Sequence, residues 1–307
     1  MADASSRLSD PFAECYDIAV AGGSLHVARA GAPPGDAESV VLALHGVTAT
    51  LMTWRTIART LAAREGVCLL APDLRGRGRS AALPGPYGIA AHLADMIAVL
   101  DQVGATRAVL VGHSLGAYIA ARLAAEPPER VAALVLVDAG LPVPAPSDPE
   151  AVMKTTVKGA AMRLEITFPS AEHYVAGWRA HPAFANAWND DIDAYARYDL
   201  VEEDHVARCV ASPSAVLADS AEMVLDDTTR LALDRVPANG SVQVLRAERG
   251  MFNDSPLIPA DQLDAFAAGH PDVHVEQVAG VNHYTLVMGD GPGPARVVAA
   301  IDGACQA

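Results

Sequence analysis

Short apolar runs of strand length alternate with longer segments of helical periodicity over the first 140 residues of the chain. The apolar runs are 39–44, 67–71, 108–111 and 131–137. The segments with helical spacing are 54–64, 89–103 and 117–125. Unbroken apolar strands are typical of a parallel sheet that is covered on both faces, and the alternation predicts that architecture. Two further segments, 16–20 and 24–30, flank Gly22-Gly23 and predict a β-hairpin.

The alternation stops at residue 141 and resumes near residue 238. Four prolines mark where it stops, Pro142, Pro144, Pro146 and Pro149, and the run Pro237-Ala-Asn-Gly240 marks where it resumes. Between them we find helical periodicity and loops but no convincing strand. The later strands are 242–246 and 273–278, and the later helices are 260–268 and 295–304. We therefore predict an eight-stranded core domain of residues 1–140 and 238–307, with a helical cap inserted at 141–237.

Charge and composition restrict the partners of this chain. Lysine plus arginine number 22 against 37 aspartate plus glutamate, a net charge of −15, which disfavours nucleic acid and anionic membranes. The first residues carry no apolar segment, and no apolar run approaches the roughly 18–20 residues of a membrane helix. We expect a cytoplasmic protein that acts on a small molecule as a monomer or homodimer. Neither nucleic acid nor a membrane is expected as a partner.

Neither the cysteines nor the acidic residues indicate a metal site. The four cysteines, Cys15, Cys68, Cys209 and Cys305, form no CxxC pair, so neither a zinc site nor a disulfide framework is predicted. The acidic segment 186–204 places Trp188, Ile192 and Tyr195 at helical spacing, which favours a solvated amphipathic helix. A carboxylate-rich cation site is the alternative, but the segment lacks the glycine and downstream glutamate of a calcium loop. We therefore expect no metal and no cofactor.

The most informative motif is the pentapeptide Gly112-His113-Ser114-Leu115-Gly116, which lies between a predicted strand and a predicted helix. A serine on such a sharp turn adopts a strained backbone that raises its hydroxyl above the sheet, and a Cβ at either flanking glycine would collide with the neighbouring chain. A phosphate-binding loop would need a lysine, and a dinucleotide-binding turn a different glycine spacing. We therefore predict that Ser114 is a nucleophile, with the start of the following helix beside it.

Four motifs of the chain resemble those of the α/β-hydrolase superfamily. They are His45-Gly46-Val47, Asp73-Leu-Arg-Gly-Arg-Gly-Arg-Ser80, the pentapeptide around Ser114, and Gly280-Val-Asn-His283. The resemblance implies an α/β-hydrolase fold, with these motifs as the oxyanion loop, a structural turn, the nucleophile elbow and the catalytic histidine. Epoxide hydrolase and dehalogenase relatives start their reaction from an aspartate, so the serine argues against those activities.

A serine hydroxyl needs an adjacent base to react at neutral pH. Of the ten histidines, His283 follows the last predicted strand, where a short loop can fold over the elbow, and the order Ser…acid…His agrees with an inserted cap. His113 is expected to pack beneath the elbow. We therefore predict that His283 is the base.

Three carboxylates are candidates for the acid that orients this histidine. The family usually places it after the seventh strand, but Ala247-Glu-Arg-Gly250 has glycine where the aspartate would stand. Some members use the end of the sixth strand, where Asp138 is found. We favour Asp138, which would accept a hydrogen bond from the imidazole Nδ1–H, and keep Glu248 and Asp254 as alternatives.

For the oxyanion hole we predict the backbone N–H groups of Val47 and Leu115, each contributing about 2.7–4 kcal/mol of transition-state stabilisation. His45 and Gly46 are expected to shape this loop. The resemblance implies that Asp73, Arg75 and Ser80 hold the turn together. An anion-binding patch is the alternative role for the arginines of this turn, Arg75, Arg77 and Arg79.

The favoured reaction for these residues is two-step acyl transfer to water. We expect the pocket to be lined by apolar residues, namely Trp54, Met162, Trp178 and Trp188, with Phe184 and Tyr195. An apolar pocket favours a carboxylic ester or lactone of a small to medium hydrophobic substrate. A carbon–carbon bond hydrolase or a thioesterase could use the same residues. A low-turnover ligand receptor of the same fold and a cofactor-free oxygenase are further alternatives.

Overall fold

An eight-stranded sheet forms the centre of the protein. The computed structural model describes residues 10–152, 164–237 and 241–307. The strands of the central sheet are β1 (Glu14–Val20), β2 (Gly23–Gly31), β3 (Ser39–Leu44), β4 (Val67–Pro72), β5 (Ala108–His113), β6 (Val131–Val137), β10 (Ser241–Arg249) and β11 (His274–Asn282), and β7 to β9 belong to the cap. Their order is β1-β2-β4-β3-β5-β6-β10-β11. Only the pairs β1–β2 and β2–β4 are antiparallel, which confirms the predicted mostly parallel sheet with an N-terminal hairpin.

Helices cover both faces of this sheet. The core helices are α1 (Arg55–Leu61), α2 (Ile89–Gln102), α3 (Leu115–Ala125), α9 (Ala260–Gly269) and α10 (Pro292–Cys305). Successive residues of a strand point to opposite faces, so Val41 packs with α1 and α10, whereas Leu42 packs with α2, α3 and α9. Both residues are fully buried. Covering on both faces is the physical reason for the unbroken apolar runs in the sequence.

In its described residues, the segment inserted after β6 contains five α-helices and a small second sheet. Its helices are α4 (Pro149–Val152), α5 (Ala171–Arg179), α6 (Asp190–Tyr198), α7 (Pro213–Leu225) and α8 (Asp227–Arg230). Its strands, β7 (Thr167–Phe168), β8 (Leu200–Glu203) and β9 (Val206–Cys209), pair antiparallel in the order β7-β9-β8. The expectation that this region has no strand was therefore wrong. The strands have four residues at most, which is too short for a period-2 pattern to stand out.

Buried polar contacts attach the cap to the core. Asp191 of α6 accepts hydrogen bonds from Arg55 Nε at 2.9 Å and from Arg59 Nη2 at 2.6 Å. The Tyr198 hydroxyl donates to Asp73 at 2.6 Å. Two carboxyls of the acidic segment, Asp191 and Asp199, are buried, so the expectation of a fully solvated acidic face is corrected. The four cysteines are all free thiols. No helix in the described part of the chain is long and apolar enough to cross a membrane.

Candidate active site

Ser114 occupies the sharp turn between β5 and α3. Its backbone has φ 55° and ψ −120°, a conformation that a non-glycine residue rarely adopts and that is found mainly at functional sites. A Cβ at Gly112 would lie 2.2 Å from the carbonyl oxygen of Gly116, and a Cβ at Gly116 would lie 2.0 Å from that of Leu44. The two glycines are therefore required by close backbone approach, and the turn fixes the serine at the end of the sheet.

Asp138 and His283 form a buried hydrogen-bonded pair next to this turn. Asp138 follows β6 directly, and its Oδ2 lies 2.7 Å from His283 Nδ1. The other carboxylate oxygen, Oδ1, accepts a hydrogen bond from the backbone N–H of Ala247 at 2.9 Å, which fixes the orientation of the carboxyl group. The Asp138 side chain is fully buried and that of His283 is 4% exposed. A carboxylate acceptor holds the imidazole proton on Nδ1, so Nε2 is the basic nitrogen.

His113 connects the nucleophile turn to the histidine loop. Its Nε2 lies 3.0 Å from the backbone oxygen of His283, and the two imidazole rings are 4.4 Å apart. Burial holds the pKa of His113 well below its usual value, so the ring is neutral and donates one hydrogen bond to that carbonyl. The hydrogen bonds among the described residues include none between Ser114 Oγ and the His283 imidazole. Catalytic contacts of this kind often tighten only when substrate binds.

The loop after β3 carries a backbone N–H beside Ser114. The carbonyl oxygen of Gly46 accepts hydrogen bonds from His45 Nδ1 at 2.8 Å and from the N–H of Ala49 at 3.2 Å. A trans peptide points its N–H opposite to its carbonyl, so these contacts fix the direction of the Val47 N–H. Gly46 itself lies against the nucleophile, because a Cβ there would be 3.7 Å from Ser114 Oγ.

The second expected oxyanion donor, the N–H of Leu115, belongs to the first residue of α3. The first N–H groups of a helix have no intrahelical acceptor. Among the described residues neither the Val47 N–H nor the Leu115 N–H is assigned a hydrogen-bond acceptor. Neither N–H group is therefore used by another described residue, and their role as oxyanion donors stays a prediction.

His45 braces this loop in a neutral state. Its Nε2 accepts a hydrogen bond from the N–H of Leu74 at 2.9 Å while Nδ1 contacts Gly46, so both ring nitrogens are used. Burial lowers the pKa of His45 to about 3. The turn residue Arg77 donates from Nε to the carbonyl oxygen of Val47 at 2.9 Å. The turn Asp73–Ser80 thus supports the loop after β3, in agreement with a structural role.

A cavity of about 500 Å³ lies between the core and the cap, and Ser114 and Val47 line it. Its apolar lining residues are Leu164, Ile166, Phe168, Trp178, Met223, Val224, Met251 and Leu257. Its polar lining residues include Thr48, Tyr174, His181, Asp199, Cys209 and Tyr284. Ser114 therefore faces a largely apolar cavity between the core and the inserted segment.

Of the residues expected to form the pocket, Trp178 lines this cavity. Trp54 does not, because it is fully buried in the core beside α1, and Phe184 and Tyr195 are likewise core residues. Trp188 lines a different cavity, of about 410 Å³, next to Arg249 and Asp290. These expectations are therefore corrected: large aromatic residues are as useful in a core as in a pocket wall, and composition does not distinguish the two. Met162 falls in 153–163, outside the described residues.

The two alternative acids have other partners. Glu248 Oε2 accepts a hydrogen bond from the N–H of Gly280 at 2.6 Å, and Asp254 Oδ1 accepts one from the N–H of Phe252 at 3.2 Å. Both side chains are exposed and neither forms a hydrogen bond to His283 among the described contacts. The structure therefore brings Asp138, rather than either alternative, to the histidine.

Asp199 is a polar cavity residue that the sequence reasoning did not single out. It accepts a hydrogen bond from the Tyr174 hydroxyl at 2.6 Å, and Cys209 Sγ lies 3.5 Å from it. Burial raises the pKa of Asp199 to about 7. The signal was present in the spacing: Ile192, Tyr195 and Asp199 fall on one helical face, so an acid continues an apolar stripe.

Comparison with known proteins agrees with this architecture. A sequence family described as the alpha/beta hydrolase fold matches residues 39–177. The chain is 44% identical over 114 residues to Lipase LipV of Mycobacterium tuberculosis, covering 37% of this chain and 41% of that protein. It is 41% identical over 132 residues to an epoxide hydrolase of Caballeronia sordidicola, covering 42% of this chain and 37% of that protein. The chain thus spans about two fifths of the length of these curated relatives.

Solved structures match over nearly the whole chain. E-2-(Acetamidomethylene)succinate hydrolase superposes with a TM-score of 0.75 at 21% identity, covering 96% of this chain and 99% of that chain. A thioesterase domain from the curacin biosynthetic pathway superposes with a TM-score of 0.74 at 20% identity, covering 94% and 99%. Identity at this level establishes the fold alone. The chain has the α/β-hydrolase fold, and its residues 39–177 match the sequence family of that description.

Proposed function

We propose that this protein is a serine hydrolase that cleaves a carboxylic ester or lactone of a small to medium hydrophobic substrate through an acyl-enzyme. The observation that carries the proposal is a strained serine at the wall of a cavity, adjacent to a buried Asp138–His283 pair. A serine, an imidazole and an orienting carboxylate recur on unrelated folds as the machinery of acyl transfer. Hydrolase names among the similar proteins support the same class of reaction.

The first half of the proposed reaction forms the acyl-enzyme. Ser114 Oγ attacks the carbonyl carbon of the substrate, and His283 Nε2 takes the hydroxyl proton. The resulting oxyanion accepts hydrogen bonds from the N–H groups of Val47 and Leu115. The carbon–oxygen bond to the leaving alcohol then breaks, and His283 gives the proton to that alcohol. Asp138 stays ionised and stabilises the imidazolium that forms in between.

The second half returns the enzyme to its starting state. A water molecule attacks the acyl carbon and loses a proton to His283. The bond to Ser114 Oγ breaks, and the histidine returns the proton to that oxygen. The carboxylic acid leaves. No cofactor enters either half of this proposal.

The walls of the cavity support a hydrophobic acyl group. A volume of about 500 Å³ lies within the range of small-molecule sites, and Phe168, Trp178 and Met223 present apolar surface to it. Ile166 and Leu257, which are 52% and 44% exposed, place further apolar surface on the lining of the same cavity. A substrate with a polar body would lose hydration against these apolar walls.

An epoxide hydrolase is among the similar proteins, but its reaction class is not favoured here. Relatives that open epoxides start from an aspartate at the elbow, and this chain has Ser114 there. Nucleophilic attack by a serine on a carbonyl gives an acyl intermediate that water can hydrolyse. The elbow residue therefore favours acyl transfer.

Labelling with a fluorophosphonate probe tests the proposal. We expect stoichiometric modification, located at Ser114 by mass spectrometry, and none in a Ser114→Ala variant of equal thermal stability. The wild-type protein should also release p-nitrophenol from acyl esters, with Ser114→Ala and His283→Ala at background. Modification of another residue, or ester turnover that survives in Ser114→Ala, would overturn the assignment.

A further inference from the structure

A buried carboxyl group lines the same cavity as the nucleophile. Asp199 lies between the end of α6 and the start of β8 and is 1% exposed. It shares the cavity wall with Ser114 and with apolar residues of the cap. Acidic residues are almost never fully buried without a charged partner, so this position calls for a physical explanation.

The partners of Asp199 within the protein are neutral. The Tyr174 hydroxyl donates to Oδ2 at 2.6 Å, and the Cys209 thiol lies 3.5 Å from Oδ1. No arginine, lysine or histidine of the described chain forms an ion pair with this carboxyl group. The contrast with Asp191 and Asp219 is clear, because each of those buried carboxyls is paired with an arginine.

Two neutral donors do not fill the hydrogen-bonding capacity of a carboxylate, which offers about four lone-pair sites. Burial raises the pKa of Asp199 to about 7, against the opposing hydrogen bonds from Tyr174 and Cys209. Burial also raises the pKa of both donors, so neither is a source of charge near neutral pH. The group is therefore an under-compensated acceptor at the wall of a largely apolar cavity.

We propose that Asp199 recognises a hydrogen-bond donor on the hydrophobic part of the substrate, either a hydroxyl group or a protonated amine. The inference rests on the proposed function and adds a polar specificity to it. A donor that enters the cavity satisfies the free lone pairs of the carboxylate and, when cationic, compensates its charge. Hydrophobic substrates without such a group leave the carboxyl group unsatisfied.

Three matched series of p-nitrophenyl esters test this assignment, with acyl chains of graded length that end in a methyl, a hydroxyl or an ammonium group. We expect the wild-type kcat/KM for the best donor-bearing ester to exceed that of its methyl isostere by roughly 10–100-fold, the range for a hydrogen bond to a charged group. In Asp199→Asn this ratio should fall close to one for the ammonium series. Asp190→Asn makes the same chemical change at an exposed cap residue and should keep the wild-type ratio.

A binding measurement separates this inference from the proposed reaction. Calorimetric titration of the corresponding ethyl esters into Ser114→Ala gives the preference as a ratio of dissociation constants, without turnover. Should Asp199→Asn fail to fold, Tyr174→Phe, which removes one partner of the carboxyl group, should change the donor preference instead. Equal affinity for methyl and donor-bearing ligands at every chain length, or a preference that Asp199→Asn and Tyr174→Phe leave intact, would overturn the assignment.

Discussion

Asp138 and His283 lie 145 positions apart in the sequence and are joined by a hydrogen bond of 2.7 Å between Oδ2 and Nδ1. Asp138 directly follows β6 and His283 directly follows β11, while β10 lies between these strands in the sheet. The acid therefore reaches the histidine across an intervening strand, to whose Ala247 N–H it is also bound. The two hydrogen bonds together fix the orientation of the Asp138 carboxyl group.

Asp138→Asn tests this relationship. The amide cannot hold the imidazole tautomer that has Nε2 free, so kcat for ester hydrolysis should fall on the order of 10⁴-fold with little loss of thermal stability, as in the serine proteases. Steady-state kinetics with a p-nitrophenyl ester measures the effect. Glu248→Gln and Asp254→Asn serve as controls and should stay within a few-fold of wild type. Near-normal turnover in Asp138→Asn would remove Asp138 from the catalytic role.

Gly46→Ala should reduce activity without unfolding the protein. The added methyl group would lie 3.3 Å from Ser114 Cβ and 3.7 Å from its Oγ, so it crowds the position of the reacting carbonyl. We expect kcat/KM to fall roughly 10–100-fold, since small misplacements of a reacting group have effects of that size. Gly35→Ala is the control because nothing lies within 4 Å of its Cβ position. Equal kinetics of the two variants would contradict the arrangement described for the oxyanion loop.

Asp219→Asn should weaken the attachment of the cap to the core. Asp219 of α7 pairs with the fully buried Arg77 and accepts a hydrogen bond from His92 Nε2 at 3.0 Å. Removing one partner of a buried pair leaves a desolvated charge, so the free energy of unfolding should fall by about 3–5 kcal/mol. Urea denaturation measures the loss, and Asp190→Asn, at an exposed position, is the control. A stability within experimental error of wild type would contradict this role.

The stability of the protein should depend on pH through Asp199. Burial raises its folded pKa to about 7, above the model-peptide value, so its contribution is fully present below the unfolded pKa of about 3.9 and is lost as the pH rises through 7. The charged or titratable groups that act on it are Tyr174, Cys209 and Asp73, and none supplies a positive charge. The Tm of Asp199→Asn minus the Tm of wild type should therefore be larger at pH 8 than at pH 5, by at least about 2 °C. A difference in Tm that does not change with pH would contradict the shifted titration.

Trp178→Ala should change the preference for acyl chain length. Trp178 lines the cavity and packs edge-on against Tyr284, with ring centroids 6.0 Å apart. Its removal enlarges the chamber, so kcat/KM should shift toward longer acyl chains and KM for short ones should rise several-fold. Trp188→Ala is the matched control, since Trp188 lines the other cavity. The same shift in both variants, or in neither, would contradict the placement of the acyl group.

Local patterns in the sequence predicted much of the core architecture. Burial of strands on both faces produced the apolar runs, and the glycines around Ser114 followed from backbone contacts that tolerate no Cβ. The cap was harder to predict because β8 and β9 are short and the acidic residues of β8 resemble those of a solvated helix. The sequence could not assign aromatic residues to the core or to the pocket either. Trp54 and Trp178 are the same residue type, but Trp54 fills the core and Trp178 lines the cavity.

The sequence by itself determined the strands and helices of the core, the serine at its turn and the histidine after the last strand, because each depends on neighbours along the chain. Only the tertiary structure decided which carboxyl group meets His283 and which carboxyl group lines the cavity. Both depend on contacts between distant segments, Asp138 through the order of strands and Asp199 through the packing of the cap on the core. Spacing along the chain can place Asp199 on the apolar face of a helix, but it does not specify which distant segment packs against that face.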